Sequence, residues 1–210
     1  MEKKILKKIL IFDVDGVLVS SKSNMRVSWE AVRKKFNLKK NFKDYFLLIG
    51  RPFEKILSTL KIKKDYSKIK KLYSDVSIKN TNKIKFYKNT KKELNNLKNL
   101  NFTLCIVTSK DLKRTKLFLK QVIKLFKVIQ CPQKKLKGKP YPDQINNVIK
   151  KLNAKKKDCV YIGDMYIDFL AAKKAGIDFI FAKWGYGNIK GSKYLNNIRD
   201  IKHFVKYNNK

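Results

Sequence analysis

The feature that most limits what this chain can fold into is an alternation of short apolar runs with stretches of helical spacing. Five runs rich in β-branched and aromatic residues have the length of buried strands: residues 9–12, 103–107, 128–131, 159–162 and 179–182. Stretches in which apolar residues recur every three or four positions lie between most of them. Strands that alternate with helices predict an α/β fold with a Rossmann-like, doubly wound parallel sheet.

The helical stretches follow the later strands. They cover residues 89–100, 111–126, 142–152 and 168–175, and the last of them runs into Gly176, a typical helix stop. In the longest, residues 111–126, the apolar positions near one face include Leu112, Leu119 and Phe126. We therefore expect one helix over that whole stretch.

One interval breaks the alternation. Residues 19–86 have a helical pattern with no convincing strand, as in residues 27–32 and 52–60. This pattern predicts an all-helical insertion after the first strand. The core is then discontinuous and consists of residues 1–18 and 87–210.

The net charge of +36 suggests a nucleic-acid partner at first sight. However, only five of the 52 basic residues are arginine, the residue favoured for bidentate contacts with bases and phosphates. The lysines are spread over nearly every segment, together with many asparagines and isoleucines, as AT-rich codons would give. We expect a field that attracts small anions and no nucleic-acid partner.

The cysteines and the apolar runs bear on the compartment. Cys105, Cys131 and Cys159 are odd in number and far apart, which indicates buried reduced thiols in a cytoplasmic protein and not a disulfide framework. No apolar run approaches the ~20 residues that span a bilayer, so we expect no membrane partner. Histidine catalysis is not expected either, because the single histidine, His203, is predicted to be a surface residue near the C-terminus.

Chemically useful side chains follow the first two of these strands. Asp13 and Asp15 come directly after the first strand, beside a glycine that permits a tight turn, and they could hold a hard cation or exchange protons. Thr108 and Ser109 follow the second strand and offer hydroxyl and backbone donors. Ligands of open α/β sheets bind beyond the carboxyl ends of the strands, where these residues are expected.

The next two strands are followed by a lysine and a second pair of acids. Lys139 lies on a proline-stiffened loop, and Asp164 and Asp168 are four residues apart, so they face the same way if a helix begins there. Taken singly, each motif has an ordinary explanation as a turn residue, a helix cap or a solvated charge. The chain has only 16 acids, and four of them follow the first and the fourth predicted strands, with the hydroxyls and the lysine between them in the sequence. This concentration favours a functional site.

In this order and spacing, the residues resemble the four motifs of the haloacid dehalogenase-like superfamily. The sequence is more narrowly similar to phosphoglycolate phosphatases and their β-phosphoglucomutase-like relatives, which carry a helical cap where this chain has residues 19–86. Residues 50–57 (Gly-Arg-Pro-Phe-Glu-Lys-Ile-Leu) resemble the substrate-facing loop of that cap. Residues 171–176 and 184–187 are similar to the C-terminal region of phosphoglycolate phosphatases.

The resemblance implies a Mg²⁺-dependent phosphatase acting on a small anionic phosphate ester. Asp13 would attack phosphorus and become an aspartyl-phosphate, and Asp15 would protonate the leaving oxygen and then deprotonate the attacking water. The Asp13 carboxylate, the backbone carbonyl of Asp15 and the Asp164 carboxylate would hold Mg²⁺. Asp168 would orient these ligands or bind the metal through water.

The remaining site residues would handle the phosphoryl group and the rest of the substrate. Thr108 and the backbone amide of Ser109 would hold the transferring oxygens, and Lys139 would neutralise charge on Asp13 and the phosphate. Arg51 is the candidate in the cap for an anionic group of the substrate. The presence of Asp15 favours a phosphate enzyme over a dehalogenase, because the dehalogenases of the superfamily lack this second acid.

Two departures from the family keep alternatives open. The hinge after the first motif reads Leu-Val-Ser-Ser at residues 18–21, without the aspartate common in phosphoglycolate phosphatases, and Met25 stands where β-phosphoglucomutases carry a histidine. The alternatives are a phosphomutase, a sugar- or nucleotide-phosphate phosphatase, or a non-enzymatic nucleic-acid-binding protein that reuses the fold.

Overall fold

The computed structural model describes residues 8–202, and its central element is a parallel sheet. The strands are β1 (Ile9–Phe12), β2 (Val19–Ser20), β3 (Lys85–Phe86), β4 (Thr103–Val107), β5 (Phe126–Gln130), β6 (Cys159–Gly163), β7 (Asp178–Ala182) and β8 (Tyr194–Leu195). Six of them form one sheet in the order β5-β4-β1-β6-β7-β8, with every neighbouring pair parallel. The predicted Rossmann-like α/β class is confirmed.

Helices cover both faces of this sheet. The helices are α1 (Lys22–Phe36), α2 (Phe42–Phe46), α3 (Phe53–Thr59), α4 (Tyr66–Lys79), α5 (Thr90–Asn99), α6 (Leu112–Phe118), α7 (Asp143–Lys151) and α8 (Tyr166–Ala175). Alternate residues of β1 enter opposite cores: Leu10 and Phe12 pack with the α5 side, and Ile9 and Ile11 pack with α7 and α8. Because both faces are buried, the strands are continuously apolar, which explains the runs seen in the sequence.

Helices α1 to α4 form a third apolar cluster of their own. Its centre is Trp29, which is fully buried and stacks on Tyr45 with ring centroids 4.5 Å apart. The chain enters and leaves this helical unit through β2 and β3, which pair antiparallel at Val19 with Phe86 and Ser20 with Lys85. These two strands contradict the expectation of an all-helical segment in residues 19–86; strands of two residues leave no periodic pattern in the sequence. We propose that residues 19–86 are the cap.

The helix expected over residues 111–126 is wrong in its second half. Helix α6 ends at Phe118, and the carbonyl of Leu119 accepts the amides of both Val122 and Ile123 at 2.8 Å, which closes a turn. Phe126 already pairs with Leu104 in the sheet. The β-branched residues of the turn favour this early exit from the helix. Strand β8 was also missed, because it pairs at only two positions.

The cysteines and the helix lengths can be compared with the expectations on the compartment. Cys105, Cys131 and Cys159 are buried thiols and form no disulfide with one another, as predicted. Within residues 8–202, no helix combines the length and the apolar character needed to cross a bilayer. His203 lies outside the described residues.

Candidate active site

The carboxyl ends of β1, β4 and β6 bring the predicted motifs to one edge of the sheet. Phe12 pairs with both Ile106 and Ile162, so the residues that follow these strands are neighbours. Asp13 donates its backbone amide to the carbonyl of Ile162 at 3.0 Å. Asp13, Thr108 and Asp164 are all at most 4% exposed, which places three polar groups at the floor of a buried site.

Lys139 joins two acids of this site. Its Nζ lies 3.0 Å from Asp13 Oδ1 and 2.7 Å from Asp168 Oδ1, and the side chain is 2% exposed. Burial alone would lower the pKa of Lys139, but the charges of Asp13 and Asp168 outweigh it and hold the pKa well above its ordinary value. The lysine is therefore a fixed positive charge between the two carboxylates.

Three carboxylates converge around this lysine. One oxygen each of Asp13, Asp164 and Asp168 lies within 4.8 Å of the others. Burial, opposed by Lys139 and assisted by the charges of Asp168 and Asp15, raises the pKa of Asp13 to about 6. Burial and the neighbouring carboxylates also raise the pKa of Asp164 well above its ordinary range. Three acids with one lysine leave excess negative charge in a buried site, which a divalent cation would offset.

Asp164 has an oxygen available for such a cation. Its Oδ2 accepts the backbone amide of Tyr186 at 2.7 Å, whereas its Oδ1 is buried without a hydrogen-bond partner in the described part of the chain. Asp13 Oδ1 also lacks a hydrogen bond there, although it is ion-paired with Lys139. Carboxylate oxygens are the ligands that Mg²⁺ prefers, and the buried Oδ1 of Asp164 is open to such a cation, so the residues fit this metal.

Asp168 is held differently from the expectation. Helix α8 begins at Tyr166, so Asp164 lies in the turn before the helix and the argument from a shared helix face is wrong. Asp168 Oδ1 accepts from Lys139, and its Oδ2 accepts the backbone amide of Met165 at 3.0 Å. With both oxygens engaged, Asp168 is placed to orient Lys139 and the turn that carries Asp164.

Asp15 points away from the three-acid cluster. Its Oδ1 accepts from the hydroxyl of Ser21 at 2.5 Å, and its Oδ2 lies 3.0 Å from Lys110 Nζ. The Asp15 carboxylate therefore contributes no oxygen to the cluster, and its predicted part in metal binding is confined to the backbone carbonyl. The carboxylate faces the cavity, which is where a leaving group would lie.

Residues from the core and from the helical unit line this cavity together. It contains Asp13, Asp15 and Thr108 from the core and Arg51, an exposed side chain, from the loop before α3. Ser109 Oγ donates to the backbone carbonyl of Gly50 at 2.5 Å, so the hydroxyl binds the cap loop and only the amide of Ser109 is left for a ligand. Met25, the residue in place of a histidine, also lines the cavity.

Several residues of the site were not predicted from the sequence. Lys110 and Arg114 are both at most 8% exposed and line the cavity. Ser21 bonds Asp15, and the Tyr186 hydroxyl accepts the amide of Ser21 at 2.6 Å. Two features of the sequence could have pointed to these cations: Lys110 follows Ser109 directly, and arginine is scarce in the chain. Neither feature distinguishes a buried cation from one at the surface.

Glycines allow the backbone to approach Asp164 closely. A Cβ on Gly185 would lie 2.3 Å from Asp164 Cβ, and one on Gly16, whose φ is +85°, would lie 1.9 Å from Asp164 Oδ2. Such contacts are impossible without displacing the carboxylate. The two loops that hold Asp164 are therefore closed around it.

Replacing Gly185 with alanine should displace Asp164 and weaken metal binding by roughly 10- to 100-fold, as the loss of a ligand-orienting contact does. Magnesium titration followed by thermal unfolding measures this effect. Asn188→Ala, an exposed position of the same loop, is the control and should leave the titration unchanged. An unaltered midpoint for Gly185→Ala would show that the carboxylate is not confined as described.

The fold and site together define an α/β enzyme with an acidic, lysine-bridged centre at the carboxyl edge of a parallel sheet, faced by an inserted helical unit. The model of the haloacid dehalogenase-like hydrolase family matches residues 10–182, so the chain belongs to this family of hydrolases.

Relatives of known name and solved structures match nearly the whole chain. Pyrophosphatase PpaX of Oceanobacillus iheyensis is 23% identical over 207 residues, which are 94% of this chain and 95% of the relative. A phosphoglycolate phosphatase of Haemophilus influenzae is 25% identical over 201 residues, 85% of this chain and 87% of the relative. The structure of a Pseudomonas syringae hydrolase superposes with a TM-score of 0.85 at 20% identity, covering 97% of this chain and all of that one. CbbY of Rhodobacter sphaeroides, solved with phosphate, gives a TM-score of 0.81 at 16% identity, covering 96% and 100%.

Proposed function

We propose that this protein is a Mg²⁺-dependent phosphatase that releases phosphate from a small organic phosphate monoester through an aspartyl-phosphate on Asp13. The observation that carries the proposal is the Asp13 carboxylate at the end of the central strand, ion-paired with Lys139 and facing a cavity that it shares with Thr108 and Asp15. The printed names of the relatives, phosphoglycolate phosphatase and pyrophosphatase, support phosphate chemistry.

The side chains divide the reaction into two displacements. Asp13 attacks phosphorus while Asp15 gives a proton to the leaving oxygen; Asp15 then takes a proton from the water that hydrolyses the aspartyl-phosphate. Thr108 and the amide of Ser109 hold phosphoryl oxygens, and Lys139 offsets the charge that gathers on Asp13 and the phosphate. Ser21 and Lys110 hold the Asp15 carboxylate in the cavity for both proton transfers.

The three-acid cluster is where Mg²⁺ would bind. Asp13 and Asp164 would hold it with carboxylate oxygens, together with the backbone carbonyl of Asp15, and Asp168 would orient the set. When bound, the metal would lower the repulsion between the nucleophile and the anionic ester. The three buried cysteine thiols, which form no disulfide with one another, further support a reducing, cytoplasmic setting as part of the proposal.

Phosphate release from a panel of small esters, with and without Mg²⁺, tests the function directly. We expect release that needs the metal and differs between esters, the best ester giving the substrate class. A phosphomutase would return the phosphate to its sugar and release little. Failure of the folded protein to act on any ester would contradict the proposal and favour the mutase or the basic nucleic-acid-binding alternative.

Replacing Arg51 with alanine should raise KM for the preferred substrate by roughly 3- to 10-fold, because an exposed cation contributes a modest, screened attraction. The KM for p-nitrophenyl phosphate, whose organic part carries no charge, should stay within about 2-fold. Steady-state kinetics at low and high salt measures both values. An equal loss on the two esters would remove Arg51 from substrate recognition.

A further inference from the structure

The cavity above Asp13 contains a second buried cation besides Lys110. Arg114, on α6 of the core, is 8% exposed and lines the same cavity as Asp13 and Thr108. Its Nε lies 2.5 Å from Asp111 Oδ2, and its backbone amide donates to Asp111 Oδ1 at 2.9 Å. This double contact fixes the direction of the guanidinium group.

The other edge of that guanidinium group is left open. Among residues 8–202, the hydrogen bond and the ion pair of the Arg114 side chain run from Nε to Asp111 and leave the two terminal nitrogens for a ligand. Lys110 cannot take over the role of this cation, because its Nζ is engaged by Asp15. A buried guanidinium normally satisfies its fork with a carboxylate or a phosphate, and here Asp111 satisfies only one edge.

The cap supplies a second donor at the same place. The Tyr73 ring centroid lies 5.3 Å from the Arg114 guanidinium carbon, and Tyr73 also lines the cavity. The Tyr45 hydroxyl donates to the Tyr73 hydroxyl at 2.9 Å, which leaves the proton of Tyr73 for another acceptor. Donors from the core and from the cap thus meet in one cavity that also holds the nucleophile.

We propose that Arg114 and Tyr73 form a subsite for a second anionic group of the substrate, so that the substrate is a small phosphate ester whose organic part carries a carboxylate or a further phosphate. This inference rests on the proposed phosphatase function. Arg51 is exposed at the cavity, and no ion pair holds it within the described residues, whereas Arg114 is buried and oriented by Asp111. Arg114 is therefore the residue that sets specificity, and Arg51 adds a weaker attraction.

The test compares two non-hydrolysable ligands that differ by the second anion. Calorimetry of the Mg²⁺-loaded full chain should give phosphonoacetate, a phosphonate with a carboxylate, an affinity at least 10-fold higher than methylphosphonate. Arg114→Gln should reduce that preference to about 3-fold or less and leave the Kd of methylphosphonate unchanged. Arg114→Lys, which keeps the charge but loses the fork, should give an intermediate preference and serves as the test if the glutamine variant does not fold. Arg33→Gln, an arginine on the exposed side of α1, is the matched control.

Kinetics then separates the two sources of the second anion. Phosphoglycolate and pyrophosphate are compared with p-nitrophenyl phosphate, and kcat/KM of Arg114→Gln should fall 10- to 100-fold only on the preferred substrate that carries a second anionic group. Equal affinity of the native protein for both phosphonates, or an equal loss of both in a folded variant, would overturn the subsite. Arg114-dependent binding of phosphonoacetate without hydrolysis of any ester would support the subsite and contradict the proposed function.

Discussion

Replacing Asp13 with asparagine is expected to lower phosphate release by roughly 10⁴-fold or more, because the nucleophile and a metal ligand are lost together. The amide has nearly the same size and can still face Lys139, so the fold should survive. Burial raises the pKa of Asp13 to about 6, which means that the folded protein is penalised for ionising it at neutral pH. The metal-free variant should therefore melt no lower than the native protein at pH 7.5.

The matched control is Asp178→Asn, which makes the same change at the start of β7, at the opposite edge of the sheet. It should keep most of the activity. Quenched reactions with a ³²P-labelled ester should trap label on the native protein and none on Asp13→Asn. Residual activity of the variant above about one per cent, with the control active, would mean that another group attacks phosphorus.

Replacing Asp164 with asparagine should weaken Mg²⁺ binding by roughly 100-fold or more and abolish activity at millimolar metal. Asp164 is fully buried with one open oxygen, so its negative charge lowers the stability of the metal-free protein, and a bound cation would offset that loss. Thermal unfolding with and without Mg²⁺ measures the effect. The metal should raise the Tm of the native protein and leave that of the variant nearly unchanged.

The pH dependence of the same experiment follows from the raised pKa values. A carboxyl group whose pKa is higher in the folded than in the unfolded state destabilises the fold as it ionises. For Asp13 this loss develops between pH 3.8 and about 6, and for Asp164 it extends higher. The metal-free Tm should thus fall as pH rises through this range, while the increase caused by Mg²⁺ should grow because the metal needs ionised carboxylates.

Asp158→Asn, at the opposite end of β6, controls for a general loss of negative charge and should respond to Mg²⁺ like the native protein. A stabilisation by Mg²⁺ that is as large at pH 5 as at pH 8 would contradict proton competition at these acids. A normal Mg²⁺ response of Asp164→Asn would exclude Asp164 as a ligand.

The sheet was predictable because burial on both faces leaves a strong local signal. Strands β1 and β4 match the predicted bounds, and helices α5, α7 and α8 lie within two residues of the expected stretches. The errors have a common cause. The end of α6 and the pairing of β2 with β3 depend on contacts with distant partners, such as Leu104 for Phe126, and these leave no periodicity in the sequence.

The same distinction applies to the site. Asp13, Thr108 and Asp164 could be placed together because each follows a strand, and parallel strands end at one edge. Arg114 and Tyr73 could not be placed together from the sequence, since they meet only when α6 packs against α4 of the inserted unit. The direction of the Asp15 side chain was equally hidden, because Ser21 and Lys110 decide it.

The pairing of β2 with β3 has a consequence for how this protein could have acquired its helices. Paired strands lie ~4.8 Å apart, so the helical unit leaves and rejoins the sheet domain at nearly one point. The whole segment therefore takes the place of the turn in a β-hairpin. Because its ends are close together, it adds little to the entropic cost of closing the chain at this point. A short turn in its place should leave the α/β core able to fold, and a foreign module with adjacent ends should be tolerated at the same junction. The helical unit is thus exchangeable as a whole, while the residues proposed for the chemistry, and Arg114, stay in the core.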